Sequence, residues 1–260
     1  MIFMNKKIKY DLVLKNGSVV LPEGIKTVDI GILNESIKDI GDLSGSDTHD
    51  SIDCSGLHVL PGVIDSQVHF REPGLENKEN LESGMLAAAA GGVTAVFEMP
   101  NTNPLTITPE TIKDKLQRAS RVAWTDYAFY LGGTGRTGPN LGEWENAPGI
   151  CGIKIFMGAS TGDLLAASDE EVASVLSNGK RVVAVHAEDQ YIMEANMKTI
   201  LGDSHDVSLH CKWRSPESCL SATQRVVMIA KKYNRRVHVL HITTSEEMDF
   251  LRKHKDTASV

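Results

Sequence analysis

Gln67, His69 and Arg71 follow one another at intervals of two in the stretch GVIDSQVHFREPG. Side chains two apart on an extended strand point to the same face, so these three are expected to share a pocket while Val68 and Phe70 face away. A His-x-His pair at this spacing would be a metal clip; here its first position is Gln67. Further along, apolar runs end in other groups with chemistry: Asn101 in EMPNTNP, Lys154 inside CGIKIFM, His186 in VVAVHAED and His241 in VHVLHITT. Imidazoles at equivalent ends of several strands are what a metal site requires. Lys154 is the sharpest anomaly, because desolvation among apolar neighbours pushes its amine towards neutrality. A neutral lysine can take up carbon dioxide and become a carbamate, an anionic oxygen ligand able to bridge two metal ions. Arg71 and Asn101 suit an anion, the guanidinium by a bidentate pair and the amide as a further donor, and so predict a substrate with a carboxylate.

A lone histidine on a strand is more often a hydrogen-bonded structural residue than a ligand. His238, His58 and His49 are read that way, and His205, His210 and His254 as surface residues. His241 is set apart from His238 by its place at the strand end, on the face of Val237 and Val239, and His186 follows Val182 and Ala184 in the same manner. Without its companions, Lys154 could equally extend its stem and place its head in water. Arg71 could pair with Glu72.

These residues converge only if the elements carrying them form a barrel. Residues 1–58 alternate apolar and polar positions between the turn signals NG, PEG and LNES, which predicts a small antiparallel β part. From residue 59 to 260, strand candidates recur with helix-length segments between them: VLPGVIDSQVHF, VTAVFEMP, DYAFYLGG, CGIKIFM, RVVAVHAE and RRVHVLHIT. The helical candidate NLESGMLAAAA stops at Gly91–Gly92, and SATQRVVMIAKKY stops near Asn234. The expected fold is α/β, a TIM-type (β/α)8 barrel that is incomplete, with about six strands, preceded by part of a small β-sandwich. The last segment, SEEMDFLRKHKDTASV, reads as a helix trailing into polar residues with no further strand. The glycine-rich GGTGRTGPNLGEWENAPG lacks the ending of a phosphate loop and reads as a solvent-exposed loop.

The 260 residues carry a formal net charge of -7 and no dense Lys/Arg block, which argues against nucleic acid or an anionic membrane as the main partner and for a small molecule. Four cysteines without C-x-x-C spacing read as reduced thiols, and the start MIFMNKKIKY resembles no signal peptide, so a cytoplasmic location is expected.

The ordered motifs DLVLKNGSVV, LPGVIDSQVHFREPG, FEMPNTNP, GIKIFMGASTG, VHAED and VLHITT resemble the amidohydrolase superfamily, and HFREPG with MPNT resembles its dihydroorotase family. The resemblance implies a two-metal hydrolytic site, usually zinc. It would catalyse the reversible cyclisation of N-carbamoyl-L-aspartate to L-dihydroorotate in pyrimidine synthesis. His69 would serve the first metal, carboxylated Lys154 would bridge, His186 and His241 would hold the second, and Arg71 and Asn101 would orient the substrate. The family's first motif is His-x-His, so Gln67 implies a weaker first site, since an amide oxygen is a poorer zinc ligand than imidazole. The family's general base is an aspartate on the last barrel strand, expected beyond residue 260, so the 260 residues alone are expected to be inactive. Alternatives are another cyclic-amide hydrolase, hydantoinase- or allantoinase-like, or a catalytically silent partner protein. A homo-oligomer, with other pyrimidine-pathway enzymes as further partners, is also expected.

Overall fold

The computed structural model describes residues 8–158 and 164–260. The opening residues MIFMNKK and the end of GIKIFMGASTG lie outside the described residues. Two compact units divide the chain, Met1–Val63 and Ile64–Val260.

In the first unit, β1 (Lys9–Leu21), β2 (Gly24–Leu33), β3 (Ser36–Gly41), β4 (Asp47–Asp53) and β5 (His58–Val59) form one sheet. β1–β2 and β2–β3 are antiparallel hairpins. The second turns through Asn34 and Glu35, both left-handed at φ 50° and 61°, the geometry that matches strand twist. β4 and β5, however, run parallel to β1, so the sheet is mixed rather than antiparallel. Alternation reports the pleat of a strand and not the direction of its neighbour, which is why the sequence missed this.

The second unit is a curled sheet of seven strands in chain order: β6 (Val63–Val68), β7 (Val93–Glu98), β8 (Asp126–Gly132), β9 (Ile150–Phe156), β10 (Val183–His186), β11 (Val237–Val239) and β12 (Ala258–Ser259). The pairs from β7 to β12 are parallel. Between the strands lie α1 (Leu81–Ala90), α2 (Pro109–Ala119), α3 (Leu141–Trp144), α4 (Asp169–Leu176), α5 (Gln190–Asn196), α6 (His210–Trp213), α7 (Pro216–Lys232) and α8 (Ser245–Arg252). This is the serial strand–helix order of a (β/α) barrel, with seven strands in the sheet. Helix starts follow local chemistry: Asn80 accepts from the Ser83 N–H, Thr108 and Ser168 form capping boxes, and Pro109 and Pro216 occupy first turns where no N–H is needed.

The pleat sorts the barrel. Phe129, Leu131, Ile153, Ile155, Val183, Val185, Val237 and Val239 pack with Val226, Val227 and Ala230 of α7 and Ile112 of α2 in one core. Each of these large side chains contributes about 1.5–3 kcal/mol by leaving water. The intervening residues face the other way, and one lateral row of strand partners runs Gly132, Lys154, Ala184, His238, Ser259.

Two further expectations fail in the second unit. A seventh strand, β12, follows α8, where no further strand was expected. DTASV has no apolar run, and its extended state comes from tertiary partners: the Val237 N–H donates to the Thr257 carbonyl, and Ser259 Oγ lies 2.9 Å from His238 Nδ1. Nor is the glycine-rich segment a solvent-exposed loop throughout. Thr134, Thr137, Leu141 and Glu145 are buried within it, and Glu145 accepts from the backbone N–H groups of Lys180 and Arg181. Among the described residues, no helix is long and apolar enough to cross a membrane.

Candidate active site at the strand ends

β6 ends at Val68, so His69 and Arg71 lie in the turn beyond it and not on the strand itself. Arg71 is left-handed, φ 66°, and this turn rather than strand alternation sets its direction. Val68 and Phe70 do face the core, and Phe70 lies so close to α1 that a Cβ on Gly84 would stand 2.4 Å from its ring. The next loop packs on the same turn: the Asn103 N–H donates to the Pro73 carbonyl at 2.8 Å. Gly74 meets it with φ 91°, and a Cβ there would lie 2.1 Å from the Asn103 carbonyl oxygen. Glu72 does not take up Arg71; it accepts from the Leu81 N–H and lies 3.6 Å from Arg118.

His69 Nδ1 is 2.8 Å from Asn101 Oδ1. With the proton on Nδ1, that contact leaves the His69 Nε2 lone pair free and the Asn101 amide N–H groups available to an acceptor. Burial pushes His69 down to about 4, against the hydrogen bond to Asn101, and the Arg71 cation pushes it further down.

Lys154 is 1% exposed, its Nζ has no hydrogen-bond partner among the described residues, and it stands 4.4 Å over the Phe156 ring. Burial holds the amine well below the usual lysine range, which favours its neutral, nucleophilic form. The alternative in which its head reaches water is thereby excluded.

His186 and His241 meet with Nδ1 and Nε2 3.1 Å apart. His241 does not arrive by alternation, since Val237 and Val239 face the helix layer; a left-handed residue, φ 41°, two positions past β11 turns its ring towards His186. Desolvation holds His241 down to about 4, helped by His186 and Lys154. On its other side, His186 Nε2 is 2.5 Å from Glu188 Oε2, and Arg214 clamps the same carboxylate with Nε 2.9 Å from Oε1 and Nη2 on Oε2. Burial alone would raise Glu188, but the hydrogen bonds from His186 and Arg214 outweigh it and hold the carboxyl at about 2. An ionised Glu188 accepts the Nε2–H, which fixes the tautomer and turns the Nδ1 lone pair of His186 towards His241. A cavity of about 410 Å³ opens at this pair, lined also by Cys219 and Glu247.

The structure thus gathers His69, Arg71, Asn101, Lys154, His186 and His241 at one end of the barrel. Gln67 is half-buried on β6, with its backbone N–H bonded to Asp65. Among the described residues, no three His, Cys, Asp or Glu side chains are grouped to hold a metal ion. The donor set that would fit a cation is the neighbouring imidazole nitrogens of His186 and His241, their mutual hydrogen bond exchanged for the ion, completed by an anionic oxygen if the Lys154 amine is carboxylated. Glu188, Arg214, Glu98 and Lys115 were not singled out by sequence. Only Glu188 carried a signal, two residues after His186; the others act through partners distant in sequence.

The dihydro-orotase-like family profile matches residues 56–247. A dihydroorotase from Methanosarcina mazei is 33% identical over 250 residues, covering 94% of this chain and 54% of that protein. An allantoinase from Rubrobacter xylanophilus is 34% identical over 249 residues, covering 90% and 53%. Among solved structures, an L-hydantoinase (dihydropyrimidinase) from Arthrobacter aurescens superposes with a TM-score of 0.88 at 27% identity, covering 96% of this chain and 57% of that one. The chain spans about half the length of the curated relatives it matches.

Proposed function

The chain belongs to the dihydro-orotase-like family of the amidohydrolase superfamily, and from that premise we propose that its protein is a metal-dependent dihydroorotase, interconverting N-carbamoyl-L-aspartate and L-dihydroorotate. The observation that carries the hydrolytic reading is Lys154: a buried amine with no hydrogen-bond partner among the described residues, its pKa lowered by burial, at the same end of the sheet as the His186–His241 pair. Its nitrogen can add to carbon dioxide, forming an N–C bond and releasing one proton, to give a carbamate. That anion would remove the unsatisfied amine and complete a donor set with His186 and His241, while His69 offers Nε2 to a second position weakened by Gln67. Zinc held there would polarise the ring carbonyl and lower the pKa of water.

The chain's own groups supply the rest. The Arg214–Glu188–His186 chain keeps His186 in one tautomer and orientation. Asn101, with its oxygen committed to His69, directs its amide N–H groups outwards, and Arg71 brings a planar cation to the same loop pair. Together they suit the carboxylate that distinguishes dihydroorotate from hydantoin or allantoin.

A second reading, a cyclic-amide hydrolase for rings without a carboxylate, is favoured by the allantoinase and hydantoinase similarities. Substrate comparison separates the two. The protein from its complete reading frame, given zinc and bicarbonate, should turn over L-dihydroorotate with higher kcat/KM than hydantoin or allantoin. The reverse order would make the second reading correct.

A further inference from the structure

Glu98 ends β7 and is 1% exposed; Lys115 comes from α2 and is also 1% exposed. Their Oε1 and Nζ lie 3.8 Å apart. Neither touches the cavity at the histidines, yet the hydrogen bonds of both are committed to the two turns that carry Arg71 and Asn101. Glu98 Oε2 accepts from the Phe70 N–H at 3.4 Å, directly before Arg71. Lys115 Nζ donates to the Met99 carbonyl at 3.0 Å, just before Pro100 and Asn101, while the Met99 N–H donates back to Val68. α2 also reaches the first turn through Arg118 and Glu72.

We propose that the Glu98–Lys115 pair is a positioning device that fixes the Arg71 turn and the Asn101 turn relative to one another, and through them sets recognition of the ring carboxylate. The recognition half rests on the reading of Arg71 and Asn101 given above. A buried ion pair is a poor means of stabilising a core, because apolar residues of similar volume often serve as well or better. It is a good means of supplying a fixed acceptor and a fixed donor where two buried turns need them. Arg71 needs such support, since a bulky residue at positive φ persists only when its surroundings over-determine it. Removing Glu98 leaves the Phe70 N–H buried without this acceptor, and removing Lys115 frees the Met99 carbonyl.

The test uses the complete protein carrying Glu98→Leu with Lys115→Met, which fills the same space without leaving an unpaired charge. Hydrogen exchange reads the brace without reference to substrate. Amides of 69–74 and 99–104 should exchange at least tenfold faster, with β9 and β10 unchanged; no local increase overturns the brace. Kinetics reads recognition: KM for L-dihydroorotate should rise at least tenfold, while KM and kcat for dihydrouracil, a ring lacking the carboxylate, and bound zinc stay within about threefold. Equal losses on both rings make the pair merely structural and overturn the proposal. Glu98→Gln with Lys115→Met restores one acceptor oxygen for Phe70 and should recover part of the KM; no recovery overturns the acceptor role. If the unmutated protein shows no preference for the carboxylate ring, the function reading fails and the recognition half falls with it. The exchange arm still decides the brace.

Discussion

Replacing Lys154 by Met should make the metal-free protein more stable while abolishing the metal-dependent activity proposed for it. The two side chains are similar in length and volume, so the packing around Ile153, Ile155 and the Phe156 ring has little reason to change. What changes is a buried nitrogen with no hydrogen-bond partner among the described residues. Leaving such a group unsatisfied costs about 1–3 kcal/mol, and methionine removes that penalty. For a unit of this size, each kcal/mol corresponds to about 2–4 °C in Tm, so an upward shift of roughly 4–8 °C is expected for a gain of about 2 kcal/mol. The sign with pH follows from linkage. Burial depresses the folded-state pKa, so between that value and the ordinary 10.5 the unfolded chain holds a proton that the folded chain lacks. Wild-type stability therefore declines as pH falls through 10.5, and the advantage of Met should be larger at pH 7 than at pH 10.5. Urea unfolding of both proteins, stripped of metal and bicarbonate, measures the difference at each pH. A destabilised Met variant, or an advantage that grows towards pH 10.5, would refute the account of Lys154 as a neutral, unpartnered amine.

Arg214→Gln removes a charge that holds Glu188 at about 2; the Glu188 carboxyl should titrate higher and the His186 tautomer signature in ¹⁵N spectra should become mixed, and unchanged spectra would count against the clamp. Arg71→Lys keeps the charge but loses the planar fork, so kcat/KM should fall about tenfold or more on L-dihydroorotate and little on a ring without the carboxylate; equal losses would place Arg71 in the fold. Gly74→Ala meets both a φ of 91° and the Asn103 carbonyl, and should destabilise the loop pair by more than about 1 kcal/mol in urea unfolding. Gln67→His should raise the zinc retained after dialysis by restoring an imidazole beside His69; two tightly held ions in the unmutated protein would overturn the weak-site reading.

Much of this site was legible because strand ends in a parallel barrel are predictable from serial apolar runs, and each of His69, Asn101, Lys154, His186 and His241 follows or interrupts such a run. Gly91–Gly92 closing α1 was equally local, a stop signal written in the backbone itself. Illegible features were those decided by contacts between distant residues. β12 has no strand signature of its own and is extended because Val237 and His238 pair with it. His241 and Arg71 reach the site through left-handed backbone that neither residue type announces. Glu98 and Lys115 look like ordinary charges on a strand end and a helix until the fold buries them together.

The central claim is that this site hydrolyses and forms a ring amide bearing a carboxylate. The most direct measurement is kcat/KM of the zinc-loaded complete protein, with bicarbonate present, for L-dihydroorotate beside hydantoin and allantoin. The account predicts that L-dihydroorotate is preferred by at least tenfold and that chelation removes the activity. Turnover of L-dihydroorotate that is absent, or no faster than that of the rings without a carboxylate, would contradict it.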